Sequence, residues 1–519
     1  MSDRAVIRKS HGFLQISEDG NRPLPRPLLR KFESQMTYTA VIREHAGFRG
    51  GGMADYQTYT EPRLLFHYDA NGLYVCQRGY LPVVRDILHA AGRQIEFADY
   101  DPPVSPEVFQ VDWDNVLRHY DFRPTQDTCL LQMDASDGGI IDAVTAFGKS
   151  AVIVMVCLLY PRAKIDIIVK SKSIAETLYN RLIAVIPNIG FIGGGKKRRG
   201  RVTVIMADSL QHTDYTANIV LADEVHTLMT DNYARKLSRY WYAKMFGFTA
   251  SKLTRADNLF GRMTGMFGPT IFSLDYKTAV ALGLVVPIVV LWNDVNMDRN
   301  PVENITKMVE RKRHAFWRND YRNYIISKSV EPFVAANQQV LIAVETVEHA
   351  LFLKKHLPHF ELCYAEQSLD ASDRFKYTRL GVLQPNEPEM TPQRRQALRL
   401  AFERRELMHV IATSVWSTGV SFDGLEVQVR AEGLQSETAA IQVPGRVCRI
   451  NPATDKEYGV VIDFMDNFDR NTKNSSLSRR RSYGSHDWTQ YLPNGRMYTA
   501  KPAAPASPAA RTGVSHDLL

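Results

Sequence analysis

Gly148-Lys149-Ser150, following Ala143-Val-Thr-Ala146-Phe147, sets a cation and a hydroxyl directly behind a glycine. The octet fits the phosphate-loop pattern except at its first glycine, which is here Ala143. Gly139-Ile-Ile-Asp142 before it can form a short strand, and the apolar run from Ala151 suits a buried helix. In that setting backbone N–H groups curl around phosphates, and the helix N-terminus adds its positive dipole end. Gly148 lets the backbone approach closely. Lys149 would reach the β- and γ-phosphates of a nucleoside triphosphate, and Ser150 would ligate Mg²⁺. A chance Gly-Lys-Ser turn is the bland alternative for this motif alone.

Two further segments supply what such a loop lacks. Ala222-Asp223-Glu224-Val225-His226 follows an apolar run. A strand ending in adjacent carboxylates delivers them to the carboxyl edge of a sheet, where α/β proteins bind ligands. Asp223 would hold the Mg²⁺, Glu224 would orient and polarise an attacking water, and His226 would pass on the state of the site. Helix N-capping is the alternative for an isolated Asp-Glu pair. Gln442-Val-Pro-Gly-Arg446-Val-Cys-Arg449 sets two arginines three apart on one helical face. They could stabilise charge on a transferring phosphoryl group, or they could be surface arginines.

The elements needed to position these residues are legible as alternating periods. Ile165–Val169, Val202–Met206 and Asn218–Ala222 read as strands among longer helical patterns, as do Val340–Val344, Val410–Ala412 and Val460–Asp463. Such alternation predicts βαβ units around parallel sheets. Leu282 to Trp292, interrupted by Pro287, reads as the crossing between two α/β domains. Residues 1–112 read as a separate module. Arg63–Tyr68 and Leu73–Cys76 flank Asn71-Gly72, a hairpin signal, and Leu81–Ala91 reads as a helix stopped by Gly92. The proline-rich stretch Asp99–Pro106 reads as a linker. After Asp463 the chain turns polar and basic, and from Lys501 it is rich in Ala, Pro and Ser, which favours disorder.

The chain has 519 residues, enough for several domains, and a formal net charge of +8, which favours a polyanionic partner. Its five cysteines include no CxxC pair, so neither a disulfide framework nor a zinc site is expected. The longest apolar run, Ala151–Tyr160, is far short of the roughly 20 residues that span a bilayer. Polar opening residues predict no secretory signal. These features predict a soluble cytoplasmic protein with no membrane partner.

Taken together, the segments from about Phe122 to Asp463 resemble the superfamily-two helicases, in the order that family shows. The phosphate loop resembles motif I, Asp223-Glu-Val-His226 a DExH motif II, and Gln442–Arg449 motif VI. Arg123-Pro-Thr-Gln126 looks like the segment that reads adenine, Phe248-Thr249-Ala-Ser251 like the coupling motif III, and Ala412–Gly419 like motif V. Val169-Lys-Ser171-Lys172 and Ala207-Asp-Ser209-Leu look like motifs Ia and Ib. Within the superfamily the resemblance runs to UvsW-like phage helicases and to XPB-like and RecG-like motors, through Ile192–Val202 and Arg479–Tyr483. Motif Ia lacks the family's usual proline-threonine start, and Ser251 stands where threonine is commoner.

The resemblance implies an α/β fold with two tandem RecA-like parallel-sheet domains, at 113–288 and 289–468. A small α+β N-terminal accessory domain covers 1–112, and 469–519 is a basic C-terminal segment and disordered tail. It also implies ATP and Mg²⁺ as cofactors. Lys149, Asp223, Glu224, Gln442, Arg446 and Arg449 would be catalytic. Arg123, Gln126, Ala146, Phe147, Gly148, Ser150, Gly419 and Asp423 would bind nucleotide, and His226, Thr249 and Ser251 would couple. DNA, single-stranded or branched, would lie on hydroxyls and cations: Ser171, Lys172, Ser209, Thr413, Ser414 and the glycine-flanked loop Lys196-Lys197-Arg198-Arg199. Such contacts grip backbone phosphates and read no sequence. Trp416 is expected in the core. A monomeric DNA helicase or translocase acting in recombination, repair or replication is the reading. An RNA remodeller, a restriction or defence motor subunit, and a scaffold with a dead nucleotide site are its rivals.

Overall fold

Residues 4–49, 53–99, 105–144, 147–250, 259–416, 422, 424–433, 444–450 and 456–498 are described by a computed structural model. The chain divides into two compact units, Met1–Val285 with Trp416–Ser421, and Val286–Val415 with Phe422–Leu519.

The first unit opens with a small module: β1 (Arg4–Lys9), β2 (Phe13–Glu18), α1 (Arg26–Gln35), β3 (Thr37–Arg49), β4 (Met53–Leu64), β5 (Phe66–Tyr68), β6 (Tyr74–Gln77), α2 (Leu81–Ala90) and β7 (Gln94–Asp99). Five of these strands form a sheet in the order β5-β6-β2-β1-β7, in which only β1 and β7 run parallel. The hairpin expected at Asn71-Gly72 forms, with Gly72 at φ +73°. The Asp69 carboxylate accepts from the N–H groups of Asn71 and Leu73 and fixes the turn. Arg63 and Leu64, expected in that hairpin, close β4 instead. Among the described residues β3 and β4 pair only with each other, as a long two-stranded ribbon that local patterning did not reveal.

An α/β domain follows: α3 (Trp113–Leu117), α4 (Gln126–Asp134), β8 (Gly138–Ala143), α5 (Lys149–Leu159), β9 (Ile165–Val169), α6 (Lys172–Ile183), β10 (Gly190–Gly193), β11 (Lys196–Arg198), β12 (Val202–Met206), β13 (Ile219–Ala222), α7 (Asp231–Leu237), β14 (Lys244–Thr249), α8 (Leu259–Phe267), β15 (Thr270–Leu274) and α9 (Tyr276–Ala281). Its eight strands lie in the order β11-β10-β12-β9-β13-β14-β8-β15, and every pair but β10–β11 is parallel. β9 and β13 are buried along their length, as β-branched central strands of a parallel sheet should be. The α5 helix is buried from Val152 to Leu159, which accounts for the apolar run there.

The second unit holds another α/β domain: β16 (Ile288–Val295), α10 (Met308–Lys312), α11 (Asp320–Ala335), β17 (Val340–Ala343), α12 (Val347–Lys354), β18 (Glu361–Cys363), α13 (Ala371–Arg379), α14 (Pro392–Glu403), β19 (His409–Ala412), β20 (Val427–Arg430), β21 (Gly459–Asp466), α15 (Arg470–Ser485) and β22 (Thr489–Tyr491). Its seven strands, in the order β18-β19-β17-β20-β21-β16-β22, are all parallel. Leu282–Trp292, expected as the crossing, contains the division between the two units, and from Ile288 it enters a strand with sheet partners on both sides. One expectation is corrected: the second α/β domain does not end at 468, because the stretch from Arg470 to Tyr491 folds onto it. Arg479 is buried on Asp463, and β22 extends the sheet. The tail from 499 lies outside the described residues. No helix among the described residues is long and apolar enough to cross a membrane.

Candidate active site

In the first α/β domain β8 ends at Ala143, and the chain enters α5 through Gly148, whose φ of +93° an L side chain rarely adopts. A Cβ there would lie 2.7 Å from the Gln126 amide nitrogen. That amide donates to the Phe147 carbonyl at 2.9 Å, while its oxygen accepts from the Arg123 N–H at 3.0 Å. Gln126 is 1% exposed. Expected to read an adenine, it is hydrogen-bonded to the phosphate loop, which it braces against the start of α4. The Phe147 ring stacks on Phe272 at 5.2 Å, so this residue offers a ligand its backbone only. Ala146 lies outside the described residues.

Lys149 Nζ donates to the Ala143 carbonyl at 2.9 Å and so bridges the two ends of the loop. Ser150 stands half-buried in the first turn of α5. One strand beyond β14 in the sheet, β13 ends in the acidic pair. Asp223 N–H donates to the Ile168 carbonyl of β9, which pins the carboxylate at the sheet edge. Burial raises the Asp223 pKa to about 7; Glu224 adds repulsion, and Lys149 pulls the other way without prevailing. Asp223 is left with too little positive charge around it, and a carboxylate in that state beside Ser150 and Lys149 is a donor set that fits Mg²⁺. Glu224 has a left-handed backbone, φ +47° and ψ +51°, a strained geometry of the kind that clusters at functional sites.

His226, 5% exposed, joins the acidic pair to the next strand. Its Nδ1 lies 3.5 Å from Glu224 Oε2 and 3.2 Å from the Thr249 hydroxyl at the end of β14. The structure thus brings together two of the three residues expected to couple; Ser251 lies outside the described residues. Gly247, which sequence reading passed over, makes this possible. A Cβ there would sit 3.0 Å from Val225 Cγ2, so only a bare backbone lets β14 approach the acidic turn so closely. A lone glycine in a strand was the available signal.

In the second unit Arg446 lies in a short 3₁₀ turn, Pro444–Cys448, and Arg449 N–H donates to its carbonyl. Arg446 is 7% exposed. Burial, and then repulsion from Arg449, lowers its pKa to about 9. Two crowded guanidiniums of this kind favour an anion. Gln442, Gly419 and Asp423 lie outside the described residues. Trp416 is buried as expected.

The expected nucleic-acid residues are spread over both units. In the first, Ser171 precedes α6 with its hydroxyl on that of Ser173, Lys172 is exposed, and Ser209 stands in the 3₁₀ turn Ala207–His212. Lys196, Lys197 and Arg198 do not form the expected loop; they make an exposed edge strand. Arg199 differs from them. It is ion-paired with buried Asp166 at 2.6 Å and with Asp214, because the Asp166 carboxylate inside β9 needs a counter-charge. In the second unit Thr413 and Ser414 follow β19 directly, with Thr413 N–H donating to the Cys363 carbonyl.

Residues 114–252 match the family model described as type III restriction enzyme, res subunit. No curated protein sequence matches the chain. Among solved structures, UvsW of phage T4 is 15% identical, with 94% of this chain and 99% of that chain covered and a TM-score of 0.39. A fragment of a putative HsdR subunit of a type I restriction enzyme from Vibrio vulnificus is 15% identical over 91% and 98%, with a TM-score of 0.48. Dbp5 of S. cerevisiae, bound to RNA and ADP BeF3, is 13% identical over 75% and 94%, with a TM-score of 0.49. All three scores are too low to carry an inference.

Proposed function

We propose that the protein is an ATP-dependent DNA helicase or translocase of superfamily two that unwinds or remodels branched DNA, with residues 114–252, which match the restriction-enzyme res-subunit model, as part of its motor. The observation that carries the reading is the buried Asp223, its pKa raised by burial and by neighbouring Glu224, beside Lys149 and a phosphate loop. Lys149 leaves the Ala143 carbonyl to hold the β- and γ-phosphates. Ser150 and Asp223 would hold Mg²⁺, which supplies neutralising charge to the phosphates when bound. Glu224 orients and polarises the attacking water. Arg446 and Arg449 stabilise the charge that develops on the transferring phosphoryl group. His226, bonded to Thr249, senses whether Glu224 faces a nucleotide. Ser171, Lys172, Ser209, Thr413 and Ser414 grip backbone phosphates, so the protein selects DNA by shape and not by base.

The test is competition for stimulation of ATP hydrolysis among single-stranded DNA, duplex, a four-way junction and RNA. Greatest stimulation by single-stranded or branched DNA supports the proposal, and stimulation by RNA alone overturns it in favour of an RNA remodeller. The matched family favours one second reading, the motor subunit of a restriction complex. That reading requires a nuclease partner, and co-purification of DNA-cleaving activity with the native protein would establish it.

A further inference from the structure

The N-terminal module and the first α/β domain, both in the first unit, are fastened together. Gly12 N–H and the Ser10 hydroxyl donate to the Trp241 carbonyl at 2.9 and 2.7 Å, and the Tyr80 hydroxyl donates to the Gly261 carbonyl at 3.0 Å. A Cβ at Gly79 would fall 1.9 Å from the Thr264 carbonyl oxygen, so the backbones there are in contact. Beside this seam lies an open groove of about 710 Å³. Four arginines line it, Arg63, Arg235, Arg239 and Arg262, against a single carboxylate, Asp231. Its apolar side includes Phe13 and Trp241, whose ring stands edge-on to Phe13 at 4.8 Å and is 43% exposed.

We propose that this groove binds an unpaired strand of nucleic acid, a proposal that rests on the motor reading above. The excess of guanidinium over carboxylate suits a chain carrying one phosphate per nucleotide. The half-exposed indole and the apolar wall offer a face to an unstacked base, which a base inside a closed duplex does not present. The volume is that of a small-ligand pocket, within roughly 300–1,000 Å³. An acidic peptide would satisfy the charges, but it has no flat π-face to match Trp241.

The groove also reaches the acidic turn. Asp231 holds Arg63 at 3.2 Å and Arg262 at 2.6 Å, and Arg63 also pairs with Glu61. Arg262 in turn donates to the Met229 carbonyl at 2.8 Å, next after the Val225–Leu228 turn that starts behind Glu224. A strand phosphate that draws Arg63 from Asp231 alters the bond holding that turn. Arg235 has no ion pair among the described residues and is exposed, so it can be changed without breaking the seam.

The experiment is fluorescence anisotropy of a labelled oligothymidine on the full chain over a salt series, with bromouracil photocrosslinking to map the contact. Arg235→Glu should weaken strand binding roughly threefold or more and lower the salt slope by about 0.7 per cation lost, with nucleic-acid-free ATP hydrolysis unchanged. Asp231→Asn should do the opposite and tighten the strand, a result no misfolded variant would give. The crosslink should fall on the peptide carrying Trp241. Strand binding that neither variant changes, or a crosslink map that misses the groove, overturns the proposal while leaving the motor reading intact. Displacement of the labelled strand by polyglutamate at lower concentration than by unlabelled oligothymidine overturns it in favour of a peptide. A wild-type chain that neither binds nor is stimulated by any nucleic acid overturns both.

Discussion

Asp223 and Asp463 are both buried aspartates of parallel sheets, Asp463 within β21 and Asp223 just past the end of β13, yet they end in opposite states. Burial pushes both carboxyls up. At Asp463, Arg479 donates twice at 2.9 Å, the Tyr483 hydroxyl donates at 2.7 Å and Arg430 stands 4.0 Å away. The sum holds its pKa below the usual carboxylate range. Asp223 has Lys149 against both its own burial and Glu224, and its pKa rises to about 7. The compensated carboxylate ties α15 to the second sheet; the undercompensated one is where the proposed Mg²⁺ would bind. Structural charges are balanced within the chain, and ligand sites are left unbalanced.

Changes at these positions would break or sharpen that contrast, the largest first. Arg446→Ala should lower ATP turnover by about 10³ or more while ATP affinity changes only a few-fold; single-turnover kinetics beside equilibrium nucleotide binding would show it. Equal loss of both would remove the arginine from the chemistry. Arg479→Met strands a buried Asp463 and should cost about 3–5 kcal/mol in the stability of the second α/β domain, read from urea unfolding. An unchanged midpoint would mean that Asp463 was never balanced by it.

Asp223→Asn should act with the opposite sign. The folded pKa of about 7 exceeds the ordinary 3.8, so folding takes up a proton between those values. The stability of the cation-free protein therefore falls as pH rises through that window. Replacing the carboxylate should stabilise the protein by on the order of 2–4 kcal/mol above about pH 7 and by nothing below about pH 4, while abolishing hydrolysis. Thermal melts in chelator at both pH values give the comparison. Gly247→Ala should cost about 1–2 kcal/mol and slow hydrolysis, because its Cβ presses on Val225 beneath the acidic turn.

The sequence disclosed what has a period or a fixed chemical order. Ile165–Val169 and Val202–Met206 form strands with those bounds, and the Gly148-Lys149 entry to α5 is where the pattern put it. What stayed hidden depends on partners far along the chain. Nothing local shows that Arg479 would fold back on Asp463, that Arg199 would be consumed by Asp166, or that Gln126 would brace the loop of Phe147. Each is a polar residue in a polar stretch, and only the tertiary fold decides whether it faces a ligand or a counter-charge.

The most direct test of the account is steady-state ATP hydrolysis by the wild-type chain and by Glu224→Gln, with Mg²⁺ and with or without single-stranded DNA. The account predicts DNA-stimulated hydrolysis in the wild type, and a loss of about 10³ in the variant with ATP still bound. A wild type that hydrolyses no ATP, or a variant that keeps the wild-type rate, would contradict it.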